Sequence, residues 1–158
     1  MKQKLFITII SLLIISTFSG CSTVPDREDV QQIYDQDQHY ISVVVDYLSA
    51  SEYKNITIRN ASGYMVTKDG DVKIPDGDVL DAIHYLMSKQ DYYYIGRYEH
   101  TIKFEVWYRD LGQIACGFTC STNDNKKPYI QYATELTPMD EEGWFYFVDD
   151  YNTWRTQH

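Results

Sequence analysis

Residues 101–109 read Thr-Ile-Lys-Phe-Glu-Val-Trp-Tyr-Arg. Alternation sets Ile102, Phe104, Val106 and Tyr108 on one face and Lys103, Glu105, Trp107 and Arg109 on the other, the period of a half-buried strand. One face is predicted to be core and the other at least partly wet, as in an antiparallel sheet covered on one side. Similar runs flank it at Tyr92–Tyr98, Gln113–Cys120, Tyr129–Leu136 and Trp144–Val148. The breaks are Asp110-Leu111-Gly112, the polar loop Ser121 to Pro128, and Thr137 to Gly143. Together these predict a meander, and the 15 tyrosines suit strands and amphipathic surfaces rather than disorder.

Upstream the period changes. Val30, Ile33, Tyr34, Tyr40, Ile41, Val44 and Leu48 recur at three- and four-residue spacing, which predicts a helix over 26–50 capped by Asp26. The β-branched Val43-Val44-Val45 run argues against its second half. Three short strands follow, Lys54–Asn60, Gly63–Lys68 and Asp71–Ile74, the last two joined by an Asp69-Gly70 hairpin turn. Pro75 then stops the sheet. Asp76 or Asp78 is predicted to cap a second helix, which carries Val79, Leu80, Ile83, Leu86 and Met87 on one side and ends near Gln90. The order α, βββ, α, then strands in series defines an α+β class, with two helices packed on one face of an antiparallel, largely meander sheet.

The first residues carry a different message. Lys2 and Lys4 precede an apolar run from Leu5 to Phe18, and Ser19-Gly20-Cys21 ends it: a basic region, an apolar region and a small-residue cleavage site. As a helix the apolar run reaches roughly 21 Å, short of the roughly 30 Å of a bilayer core. Phe18-Ser19-Gly20-Cys21 resembles the lipobox of bacterial lipoproteins, with Phe18 where that family usually has an aliphatic residue. The resemblance implies diacylation of Cys21 and cleavage before it. The expected organisation is therefore a signal peptide over 1–20, a lipidated cysteine and tether over 21–25, and one domain over 26–158, exported and held on the outer face of the cell membrane or on an outer membrane. The lipid on Cys21 is then the membrane contact.

The chain has 14 basic and 23 acidic residues, a net charge of −9. Loss of Lys2 and Lys4 with the signal leaves 12 against 23, or −11. Such a surface repels phosphates, so nucleic acid is a poor partner, and no basic stripe interleaved with aromatics appears. A basic partner would be attracted by it.

No catalytic constellation is visible. Gly-x-Ser-x-Gly and Ser-x-x-Lys are absent, and His39, His84, His100 and His158 lack zinc spacing. Cys116 and Cys120 share one strand face at roughly 13 Å, beyond the roughly 7 Å reach of a disulfide, so two buried thiols are expected. Asp69, Asp71, Asp76, Asp78 and Asp81 cluster, but Lys73 occupies the position where calcium would need a third oxygen, and no bidentate Glu follows. Turn formation and capping account for them. No metal or cofactor is predicted.

The aromatic tail stands out. Trp144, Phe145, Tyr146 and Phe147 alternate faces in a strand, so two of them must leave the core unless both faces are covered. One reading folds a terminal turn back over Trp144 and Tyr146. The other makes Trp144, Tyr146, Tyr151 and Trp154 a partner-binding patch, since Tyr and Trp dominate interface hot spots. The leading functional expectation is a non-enzymatic binding or accessory module, engaging another envelope protein or peptide through its sheet face or its aromatic C-terminus. The alternative is a small envelope or cell-wall hydrolase whose His and carboxylates meet only in the fold. A transporter's solute receptor is disfavoured because such receptors need two lobes.

Overall fold

The computed structural model describes residues 23–109, 113–123 and 126–157. The signal and lipobox reading, Cys21 included, lies outside them. Among the described residues, three helices and eight strands occur in the order α1 (Arg27–Ala50), β1 (Asn55–Ile58), β2 (Tyr64–Thr67), β3 (Gly70–Lys73), α2 (Asp78–Lys89), β4 (Tyr94–Tyr98), β5 (Thr101–Arg109), β6 (Ile114–Ser121), β7 (Ala133–Pro138), β8 (Trp144–Asp150) and α3 (Tyr151–Gln157). The strands form one antiparallel sheet ordered β3-β2-β1-β4-β5-β6-β8-β7. This is the α+β class expected. Among the described residues no helix is long and apolar enough to cross a membrane.

Helix α1 begins with a reciprocal capping box: the Asp29 N–H donates to Asp26 Oδ1 at 2.9 Å, and the Asp26 N–H donates back to Asp29. Val30, Tyr34, Asp37, Ile41, Val44 and Leu48 form its buried stripe. The Val43-Val44-Val45 run does not end the helix, because Val44 is fully buried and packing outweighs a weak intrinsic preference. The C-terminus is tied down by Arg97 of β4, whose guanidinium donates to the carbonyls of Leu48, Ser49 and Ser51. These carbonyls lie at the negative end of the helix, where the Leu48 one also accepts from the Ser51 N–H at 3.3 Å. Arg97→Met should therefore lower unfolding free energy by about 1.5–3 kcal/mol, the range for hydrogen bonds to a charged group, read by urea denaturation; a loss under about 0.5 kcal/mol would refute the capping role.

Helix α2 is capped differently from the expectation. Its N-cap is Gly77, at φ +111° with no side-chain cap bond. Asp76 instead pairs with Lys73 at 3.2 Å, and Asp78 lies within the first turn, where its charge meets the helix dipole. Both α1 and α2 pack on the inner sheet face around Ile58, Met65, Ile83, Leu86, Ile95, Phe104 and Phe118, all at most 2 % exposed.

Four other expectations are corrected. β5 carries a bulge between Glu105 and Trp107, so Trp107 pairs with Cys116 and turns to the helix side rather than sharing a face with Lys103 and Glu105. The serial meander breaks after β6, because β8 inserts between β6 and β7. The connection responsible runs over the outer sheet face: the Tyr129 N–H donates to Thr101 Oγ1 at 2.8 Å and the Tyr132 carbonyl accepts from the Asp150 N–H at 3.1 Å. Residues 129–132 are therefore a strap, and strand begins only at Ala133. Finally, the tail ends in helix α3 instead of a turn.

Candidate functional site

Beneath and beside the strap lies a cleft of about 350 Å3, within the usual range for ligand pockets. It is lined by Tyr94, Gly96 and Tyr98 of β4, Thr101 and Lys103 of β5, Tyr129 to Tyr132 of the strap, and Asp149 of β8. Strand alternation explains the set, since Tyr94, Gly96, Tyr98, Thr101, Lys103 and Asp149 all project to the face opposite the helices. Gly96 leaves room where a side chain would stand, and the Tyr94 ring lies across it; a Cβ there would meet that ring. Tyr98 and Tyr129 are 60 % and 57 % exposed. Phe147, on this same face, is fully buried behind Lys103 and does not line the cleft.

Lys103 is held by Glu105 at 2.7 Å and by Asp149 at 3.5 Å, with all three side chains at most 20 % exposed. Its ammonium also sits 5.3 Å from the Tyr94 ring centre and 5.4 Å from that of Phe147. Burial by itself lowers the Lys103 pKa, but Glu105 and then Asp149 outweigh it and hold the group above the ordinary lysine value. Lys103 is thus a fixed cation already matched by two carboxylates, unsuited to giving up its proton as a base or nucleophile near neutrality.

The four aromatic residues singled out in the sequence are not brought together. Trp144 packs on Tyr34, with ring centres 4.8 Å apart, and on Phe118 at 5.7 Å, inside the helix-side core. Tyr146 is 3 % exposed and its hydroxyl donates to the Pro25 carbonyl at 2.9 Å, so it holds the start of the domain and is not open to a partner. It is α1, rather than a returning tail, that covers both. Tyr151 and Trp154 instead pack against Tyr132, at 5.0 and 5.2 Å between ring centres, and so buttress one wall of the cleft.

Sequence reasoning missed Tyr94, Tyr98, Tyr129, Tyr132, Lys103 and Asp149 as a group. The usable signal was the wet face of β5, where Lys103 and Glu105 lie opposite a clean apolar row; nothing local announces that the strap crosses it.

Cys116 and Cys120 are free and buried, and burial pushes both thiols up to about 12, which keeps them protonated and unreactive. His39 and His84 are exposed, and among the described residues no histidine side chain is hydrogen-bonded to a carboxylate or thiol. Among the described residues no group of three His, Cys, Asp or Glu side chains is placed to hold a metal.

Fold and cleft together define a small α+β domain with an aromatic, ligand-sized cleft on the sheet face that the helices leave open. Compared with family models, curated proteins and solved structures, the chain matches none.

Proposed function

We propose that this chain is a lipid-anchored, non-enzymatic binding module of the bacterial envelope, which engages another envelope protein or peptide through the outer face of its sheet. The cleft bounded by Tyr94, Tyr98, Tyr129 and Tyr132 carries the reading: two exposed and two partly buried tyrosines set on a sheet are the composition of a recognition surface. The Phe18-Ser19-Gly20-Cys21 motif supports the anchor, and Val24 and Pro25, packed at the start of the domain, keep the tether to Cys21 short. The C-terminal aromatics act indirectly, by setting Tyr132.

A photo-crosslinking amino acid at Tyr129, with another at exposed His84 on α2 as control, tests the proposal in the native cells. One envelope protein or peptide should be captured from position 129 and not from 84, and capture should fall at least tenfold in a Cys21→Ala chain. Equal capture from both positions, or none from 129, would overturn it.

A further inference from the structure

We infer that the cleft recognises an extended basic segment of a polypeptide by seating an arginine or lysine side chain between its tyrosine rings, against Asp149. This rests on the binding-module reading and names the chemistry of its ligand.

The two carboxylates around Lys103 differ in a way that decides the sign of the ligand. Glu105 makes the short ion pair, 2.7 Å, and does not line the cleft; Asp149 stands at 3.5 Å, the long end of hydrogen bonding, and does line it. Lys103 lines the cleft beside Asp149 and is matched first by Glu105, so the three charges together leave one net negative charge at this end of the cleft. An anionic ligand finds no unspent cation at the cleft floor. A cationic one finds aromatic walls and the net negative charge that Asp149 and Glu105 leave beyond Lys103, and aromatic walls favour guanidinium and alkylammonium groups through stacking and cation–π attraction. The site already applies this chemistry to its own lysine, whose ammonium lies over the Tyr94 and Phe147 rings. The chain's net charge of −9 draws a basic segment in from a distance.

A fluorescent, extended peptide with three arginines spaced by glycine, titrated by polarisation at 150 mM salt, is the probe, with the same peptide carrying glutamine or glutamate as comparison. Diffuse attraction to an acidic surface must be separated from the cleft. Tyr98→Ala with Tyr129→Ala does this, because it leaves the net charge unchanged and removes two rings that are more than half exposed; circular dichroism checks that the fold is kept. The arginine peptide should bind at least tenfold tighter than the glutamine one, and the double variant should lose at least tenfold of that affinity. Asp149→Asn should lose a similar factor.

Wild-type affinity in the double variant would overturn the inference, as binding would then be general charge attraction. Equal affinity for the glutamine or glutamate peptide, or occupancy of the cleft by neutral chitotriose in place of peptide, would overturn the cationic ligand while leaving the crosslinking result from position 129 intact. Failure of that crosslink would instead remove the binding module itself.

Discussion

Gly117→Ala should destabilise the domain by about 3 kcal/mol or more, at the upper end of overpacking costs, and so remove much of the 5–15 kcal/mol that holds a typical domain folded. Gly117 lies in the middle of β6, opposite Glu105 on one side and Phe147 on the other. The bulge in β5 brings the Phe104 carbonyl so close that a Cβ on residue 117 would overlap it. The obstacle is backbone in the centre of a sheet, so no side-chain rotation relieves it. The strand must either part from its neighbour or expel the bulge, and expelling it would turn Trp107 from the helix side to the outer face. Urea unfolding followed by tryptophan fluorescence and far-ultraviolet circular dichroism measures the loss. A change below 1 kcal/mol would mean that β5 and β6 can separate locally without cost, against the packing described.

The second large effect concerns Asp37, which is 1 % exposed within α1. The Tyr92 hydroxyl donates to its Oδ2 at 2.9 Å, and its Oδ1 is unpartnered. Burial raises its pKa above the ordinary 3.8, an effect the Tyr92 and Tyr85 hydroxyls reduce without cancelling. Because the folded state holds this proton more tightly than the unfolded state, the group's contribution to stability grows as pH falls through the raised value toward 3.8 and is lost as pH rises through that window. The carboxylate is thus an internal cost at neutral pH. Tyr92→Phe should add to it, lowering stability at pH 7 by about 1.5–3 kcal/mol, the range for a hydrogen bond to a charged group. Asp37→Asn keeps an acceptor for Tyr92 and cannot titrate. Denaturation of wild type and Asp37→Asn at pH 7 and pH 4.5 should show wild type gaining relative to the variant at the lower pH. Parallel pH profiles would show that Asp37 titrates as an exposed acid does, against its burial.

The two buried features have different consequences for the cleft. Gly117 belongs to the outer face, so its substitution disturbs Lys103, Glu105 and the strap as well as stability. Asp37 lies on the helix side, and its variants should leave peptide binding within about twofold. Binding measured on both sets therefore separates damage to the site from damage to the fold.

Local pattern determined the long first helix, the second helix, the β2–β3 hairpin and the alternation of β6 and of β5 as far as Glu105, because each depends on residues a few positions apart; the hairpin's two-residue turn falls on Lys68-Asp69, one position before the Asp69-Gly70 expected, with Gly70 already paired to Thr67. Burial of Cys116 and Cys120 as free thiols followed from the same strand geometry. Tertiary structure alone decided the rest. A bulge adds one residue without a local signature and turned Trp107 around. The strap from Tyr129 to Tyr132 is rich in residues that also suit strands, and only its bonds to Thr101 and Asp150, distant in sequence, make it a cover over the outer face. Trp144 and Tyr146 look like a surface patch until α1 packs on them. The cleft assembles β4, β5, the strap and β8, four segments spread over more than fifty residues, and its chemistry depends on how Lys103 divides its charge between two carboxylates; such a division is set by distances across the sheet, which no pattern along the chain encodes.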